Sequence, residues 1–141
     1  TEQAIILSSP DKPRAIVDYF MQGISTDPIS YSKRLSVMTQ SVVGQQQLSP
    51  SQLLATRATA GFGCTSDEKY VQEPKVVERQ KLVGLQYTYI CTSAFGPSQG
   101  AYMVWYDENG NKHSMTINIL EPVDSTYQNF SSHIIDSVEV I

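Results

Sequence analysis

The residues of this 141-residue chain best suited to chemistry are few: two histidines, two cysteines and a group of aromatics. His113 and His133 fall in no HExxH or similar spacing, so nothing marks a zinc hydrolase. His113 lies in a strand-like segment, where it could act as a general base or be a half-buried strand residue. Cys64 and Cys91 form no CxxC redox pair and are too few for a zinc site. A Cys–His dyad would need a thiolate in a positive, partly exposed setting, whereas Cys91 continues the apolar face of a strand. Paired carboxylates for acid–base work would have to come from Asp107 and Glu108, which flank a hairpin turn where solvated carboxylates are common. Gly61-Phe62-Gly63 lacks the Gly-Lys-Ser/Thr of a phosphate loop and reads as a helix C-cap and turn. The expectation is therefore no catalytic set, no metal and no cofactor, with binding ahead of catalysis.

The aromatic residues say more. Tyr87, Tyr89, Tyr102, Trp105 and Tyr106 fall on two consecutive strand patterns, and Tyr102, Met103, Trp105, Tyr106 and His113 are the candidate binding residues. What Trp105 does depends on the Asp107-Glu108-Asn109-Gly110-Asn111 hairpin. A two-residue Asn109-Gly110 turn places Val104 opposite Met115, Tyr102 opposite Ile117, and Trp105 with Met103 on the polar face as an exposed patch. A three-residue turn with a bulge at Gly110 pairs Trp105 with His113 and Met103 with Met115, which sends both to the core or to the lining of a concave pocket.

Cys64 and Cys91 make an even pair in a small, charge-poor chain. This suits one disulfide in an exported protein, worth about 3 kcal/mol in the chain-entropy model. The alternative is two reduced, buried thiols in a cytosolic protein. Lys75, Arg79 and Lys81 form a basic cluster at the start of the first long strand, on the same parity as Val83 and Leu85. An unpaired cation inside a sheet is costly, so a bulge or an open end is expected there. Asn129-Phe130-Ser131 matches a glycosylation sequon, a triplet that often arises by chance.

The elements that must position these residues fall into two halves. Val17, Phe20, Met21 and Ile24 recur at helical spacing after Ser9-Pro10-Asp11 and predict a helix over 12–23. Asp27-Pro28, followed by Tyr31, Leu35, Met38 and Val42, predicts a second over 28–40. Ser49-Pro50-Ser51-Gln52, with Leu48 and Leu53 around it, has the form of a capping box with a hydrophobic staple and predicts a third over 50–59. Segment 64–75 is polar and irregular. Period two then takes over: Val83, Leu85, Tyr87, Tyr89, Cys91 and Phe95 share one face of a long strand, followed by strands at 101–107 and 112–120. The tail predicts a helix around 125–134 and a short strand at 138–141. The fold class expected is α+β in one domain: helices about 12–60, packed on a curved antiparallel sheet of long strands about 76–121, with a tail 122–141.

In this element order, the segment Pro13-Arg14-Ala15-Ile16-Val17-Asp18-Tyr19-Phe20-Met21-Gln22-Gly23-Ile24 resembles the start of nuclear-transport-factor-2-like (cystatin-like) domains. The resemblance covers about residues 10–120, without the final tryptophan-bearing strand that many such domains carry. That superfamily holds cone-shaped enzymes, ligand-binding proteins and non-enzymatic modules of bacterial envelope assemblies, so the resemblance implies a fold and leaves function open.

Composition narrows the classes further. Charged residues are 17% and hydrophobic residues 40%, while Ser, Gln, Thr and Asn together supply 43 of the 141. This excludes a charge-rich disordered tail and a coiled coil. A net charge of -4 argues against nucleic acid or an anionic membrane as partner. No run approaches the roughly 20 apolar residues that span a bilayer. The function expected is a non-enzymatic interaction module of an exported or envelope-associated assembly, periplasmic or extracellular, with a protein partner and with homodimerisation open. The alternative is a pocket protein of the same fold that binds, isomerises or hydrates a small apolar molecule.

Overall fold

The computed structural model describes residues 2–9, 12–22, 28–48, 52, 64–79, 82–93, 96–119 and 135–138. Within them the chain forms β1 (Glu2–Ser9), β2 (Lys12–Gln22), α1 (Tyr31–Gln45), β3 (Cys64–Arg79), β4 (Leu82–Ser93), β5 (Gly96–Tyr106) and β6 (Lys112–Ile119). The strands make one six-stranded sheet in the order β1-β2-β6-β5-β4-β3, and every neighbouring pair is antiparallel.

This overturns the α+β arrangement of N-terminal helices on a sheet. Segment 12–23 is strand through Gln22, inserted between β1 and β6. Its Ile16, Val17, Tyr19 and Phe20 favour strand by side-chain shape. An internal strand carries apolar residues on both faces, which erases the alternation and leaves a run that also fits helical spacing. The polar segment 64–75 is also strand. It forms most of the edge strand β3, whose register with β4 breaks at four places between Cys64 and Lys75. A bulged edge strand has no period to read. Pro74 is tolerated there because an edge strand need not donate on its outer side. The helix expected at 50–59 and most of the tail lie outside the described residues.

The second expected helix is present but shifted. α1 begins at Ser30, whose hydroxyl accepts from the Lys33 amide at 3.3 Å, rather than at Asp27, and it runs past Gly44 to Gln45. The helix lies on β3 and β4. Its far end is tied down by Tyr70, whose hydroxyl donates to the Leu48 carbonyl at 2.7 Å, and by Gln46, whose side-chain amide donates to the Pro74 carbonyl at 3.2 Å.

Alternation on the central strands feeds two cores. Val83, Leu85, Tyr87, Tyr89 and Cys91 of β4 join Val104 of β5 and Met38 of α1 on one face. Ala101, Met103 and Trp105 of β5 join Leu82, Ile117 and Ile135 on the other. The second face is closed over β4 by residues 135–138, held by Arg79. Its guanidinium donates to the carbonyls of Ile135 (3.0 Å) and Val138 (2.7 Å) and to Gln86 Oε1 (3.2 Å). Gln86, itself buried, donates onward to Asp136 at 3.0 Å. Arg79 does not share a face with Val83 as its parity suggested. The short 80–81 connection sets it opposite Leu82, so it lies on the second face with a full set of partners. Lys75 is exposed, and Lys81 lies outside the described residues.

Gly84 makes room for this packing. It sits opposite Trp105, and a Cβ there would come within 2.7 Å of the Val104 carbonyl oxygen and 3.0 Å of Trp105 Cβ. Because backbone is what it meets, the strand cannot yield cheaply. Gly84→Ala is expected to cost about 1–3 kcal/mol by overpacking, read as a lower urea midpoint at unchanged slope.

Candidate functional site

The hairpin between β5 and β6 takes the three-residue form. Gly110 has φ 84°, the Asp107 amide donates to the Asn111 carbonyl at 3.0 Å, and the Gly110 amide donates to the Asp107 carbonyl at 3.1 Å. Trp105 therefore pairs with His113 and Met103 with Met115. Trp105 is 6% exposed and Met103 fully buried, so neither is a surface anchor.

The same register gathers a cluster that sequence reasoning saw only in pieces. Asp107 lies across from Asn111, and His113 follows two residues on, so Trp105, Asp107, Asn111 and His113 share one face. The Asp107 carboxylate accepts from the amides of Asn109 (2.9 Å) and Asn111 (3.0 Å), from the Asn111 side chain (3.0 Å) and from His113 Nε2 (2.9 Å). Tyr19 reaches in from β2 to His113 Nδ1 at 2.6 Å. The imidazole stacks flat on the Trp105 indole, centroids 5.2 Å apart and planes 6° from parallel, and the Tyr19 ring lies 6.3 Å from the indole. The turn is also held from outside, where the Ile29 amide donates to the Glu108 carbonyl at 2.6 Å.

Protonation states follow from the surroundings. Partial burial works to raise the Asp107 carboxyl, but the bonds from His113, Asn111 and Asn109 outweigh it and hold the group below its ordinary value. Ionised Asp107 can only accept, so His113 Nε2 donates to it, while the other ring nitrogen, Nδ1, is taken up by the Tyr19 hydroxyl. Burial, and secondly the Asp107 charge, push the Tyr19 phenol up, which keeps it a donor. The three residues form a Tyr–His–Asp relay in which both imidazole nitrogens are taken. Asp107 and Glu108 do not converge as an acid–base pair, because Asp107 turns inward while Glu108 is exposed. Tyr19 was hidden in an expected helix. The signal that could have found the rest is the Asp-x-Asn-Gly-Asn turn, whose first carboxylate bonds its own backbone. Among the described residues no group of three or more His, Cys, Asp or Glu could hold a metal ion.

The remaining candidates lie on the opposite face. Tyr102 and Tyr106 are half-buried beside the α1-side core. Across β6 from them, Phe20 of β2 is 42% exposed. Two of the β6 residues between are small: Ser114 pairs with Phe20 and Val104, and Thr116 with Asp18 and Tyr102, while Lys112 pairs with Tyr106 and Gln22. The result is an aromatic-edged trough on the β2–β6–β5 half of this face, beside the half on which α1 lies. Cys91 is buried on this face, and Cys64 lies in the adjacent strand opposite Ser93, two residues along β4 from Cys91.

Compared with known proteins, the sequence matches no family model and no curated protein. The segment that carried the resemblance to nuclear-transport-factor-2-like domains is the strand β2 through Gln22. Among the described residues no helix is long and apolar enough to cross a membrane, which does not bear on crossing by strands.

The lowered carboxyl of Asp107 stabilises the fold above the group's unfolded value and stops doing so as pH falls through its lower folded value. Urea midpoints followed from about pH 6 down to pH 2 are expected to decline less steeply in Asp107→Asn than in wild type. Equal slopes would remove Asp107 as a source of the acid sensitivity.

Proposed function

We propose that the chain is a non-enzymatic interaction module of an exported or envelope-associated assembly, and that it binds a protein partner through the trough edged by Phe20, Tyr102 and Tyr106. The observation that carries this reading is the placement of Phe20: a large aromatic, 42% exposed, on a sheet face whose other half lies under α1. Aromatic side chains are enriched at the cores of protein interfaces, and Tyr102 and Tyr106 add a polar tip to an apolar body. The Tyr–His–Asp relay supports binding over catalysis for a separate reason. A general base needs a ring nitrogen directed at substrate, and both of those on His113 are occupied, Nε2 by Asp107 and Nδ1 by Tyr19.

Affinity capture from the native host tests the surface. Wild-type protein is expected to recover a defined partner, and Phe20→Asp to recover about tenfold less of it, the scale of one interface anchor. Equal recovery by a folded Phe20→Asp protein would refute the role of the trough.

An exported setting would follow from a Cys64–Cys91 disulfide; Cys64 lies in β3 and Cys91 in the adjacent β4. Thiol titration of the unfolded, freshly isolated protein without reductant is expected to find none. Two titratable thiols would place the chain in a reducing compartment instead.

A further inference from the structure

The two edges of the sheet are built differently. On β3, the register breaks repeatedly, Pro74 removes a donor, and Lys69, Glu73 and Lys75 are exposed. These are the devices that stop an edge from pairing with another chain. On β1, the run Glu2–Leu7 holds one unbroken register with β2, from Glu2 opposite Phe20 to Leu7 opposite Ala15, and the irregularity comes only at its end. Residues 2–9 contain no proline, lysine or arginine, and Ala4-Ile5-Ile6-Leu7 is apolar throughout. Among the described residues no strand lies beyond β1. In an antiparallel pair the backbone groups of alternate residues point toward the neighbour, so the other half of the β1 amides and carbonyls point outward.

We propose that this edge pairs with β1 of a second copy of the chain, antiparallel about a two-fold axis, joining the two sheets into one. The order of residues favours a self-pair. Glu2-Gln3-Ala4-Ile5-Ile6-Leu7-Ser8-Ser9 reads polar, apolar, polar from either end, so an antiparallel copy lays its apolar centre on itself. Because side chains alternate between faces, the axis must pass beside Ile5 or Ile6, each opposite its own copy. Glu2 is the one charged residue of the strand, and neither register sets it against a like charge. A two-fold interface of this kind closes at the dimer and leaves the guarded β3 edges outermost. The proposal is independent of the trough, which lies on a face rather than an edge.

Sedimentation equilibrium of the chain is expected to show a concentration-dependent dimer. Hydrogen exchange read at low and high protein concentration is expected to slow the outward β1 amides by at least about tenfold in the dimer, with the amides bonded to β2 little changed. Ile6→Lys is expected to be monomeric with an unchanged circular dichroism spectrum, while Val71→Lys on β3 still dimerises. A wild-type chain that stays monomeric at sub-millimolar concentration would overturn the proposal. So would a dimer whose outward β1 amides exchange as in the monomer, a result that needs no variant to fold.

Discussion

The register of the β5–β6 hairpin is the constraint on which the rest of the molecule depends. Side chains alternate with period two, so one residue more or less in the turn would exchange the faces of β6 relative to β5. A positive φ at Gly110 and the two bonds across the loop select the three-residue form. Asp107 reinforces the choice from its side chain, since its carboxylate closes on the amides of Asn109 and Asn111. With that register, Met115 and Ile117 join Met103 and Ala101, and His113 falls on Trp105. With the other, Trp105 and Met103 would have faced serine and threonine, and the second core would have no aromatic centre.

From this follows an unusual demand on β4, which from Leu82 to Tyr89 is buried on both faces. A sheet covered on one side can leave its polar alternates in water, but here Gln86 and Thr88 are as buried as their apolar neighbours. Burial of an amide is tolerable only with partners. Gln86 has them because Arg79 and Asp136 meet around it. The arginine is charged in a partly covered position, and two main-chain carbonyls and the Asp136 carboxylate, 3.7 Å away, compensate it. The same polar contacts that satisfy the sheet thus fasten residues 135–138 over it, so the second core and its cover form together.

What was legible in the sequence tracks where alternation survives. The stripe Val83, Leu85, Tyr87, Tyr89, Cys91 was readable because its opposite face is Gly, Gln and Thr, polar or small although buried. β2 was not, because it lies between two strands, where an apolar run takes the place of alternation, and Val17, Phe20 and Met21 fit a helix by coincidence of spacing. Segment 64–75 of β3 failed for the opposite reason: as a bulged edge strand it has no steady period there. α1 was found, although its start is set by the Ser30 hydroxyl rather than by Asp27-Pro28. At the site, the two hairpin registers were both visible from residues 107–111, and the choice between them required the φ of Gly110. Tyr19 could not have been placed beside His113 without the β2–β6 pairing, a contact across 94 positions of chain.

The division of the candidate residues between two faces bears directly on how the protein can act. His113 is the residue that inventory alone would nominate for catalysis, yet its environment is that of a fastening. Trp105 covers one side of the ring, the ionised Asp107 holds Nε2–H, and a phenol kept protonated by burial occupies Nδ1. Each contact also joins a different part of the chain: Tyr19 brings β2, His113 brings β6, and Asp107 brings the turn. To release the imidazole for proton transfer would loosen the hairpin that sets the register of both cores, so chemistry at His113 and stability of the sheet compete. Phe20, Tyr102 and Tyr106 face no such conflict. They stand on strands whose pairing is already complete, and a partner laid across Ser114 and Thr116 would add apolar contact without disturbing a hydrogen bond of the sheet. The face that can take on new contacts without opening that hairpin is the one through which we propose that the protein binds.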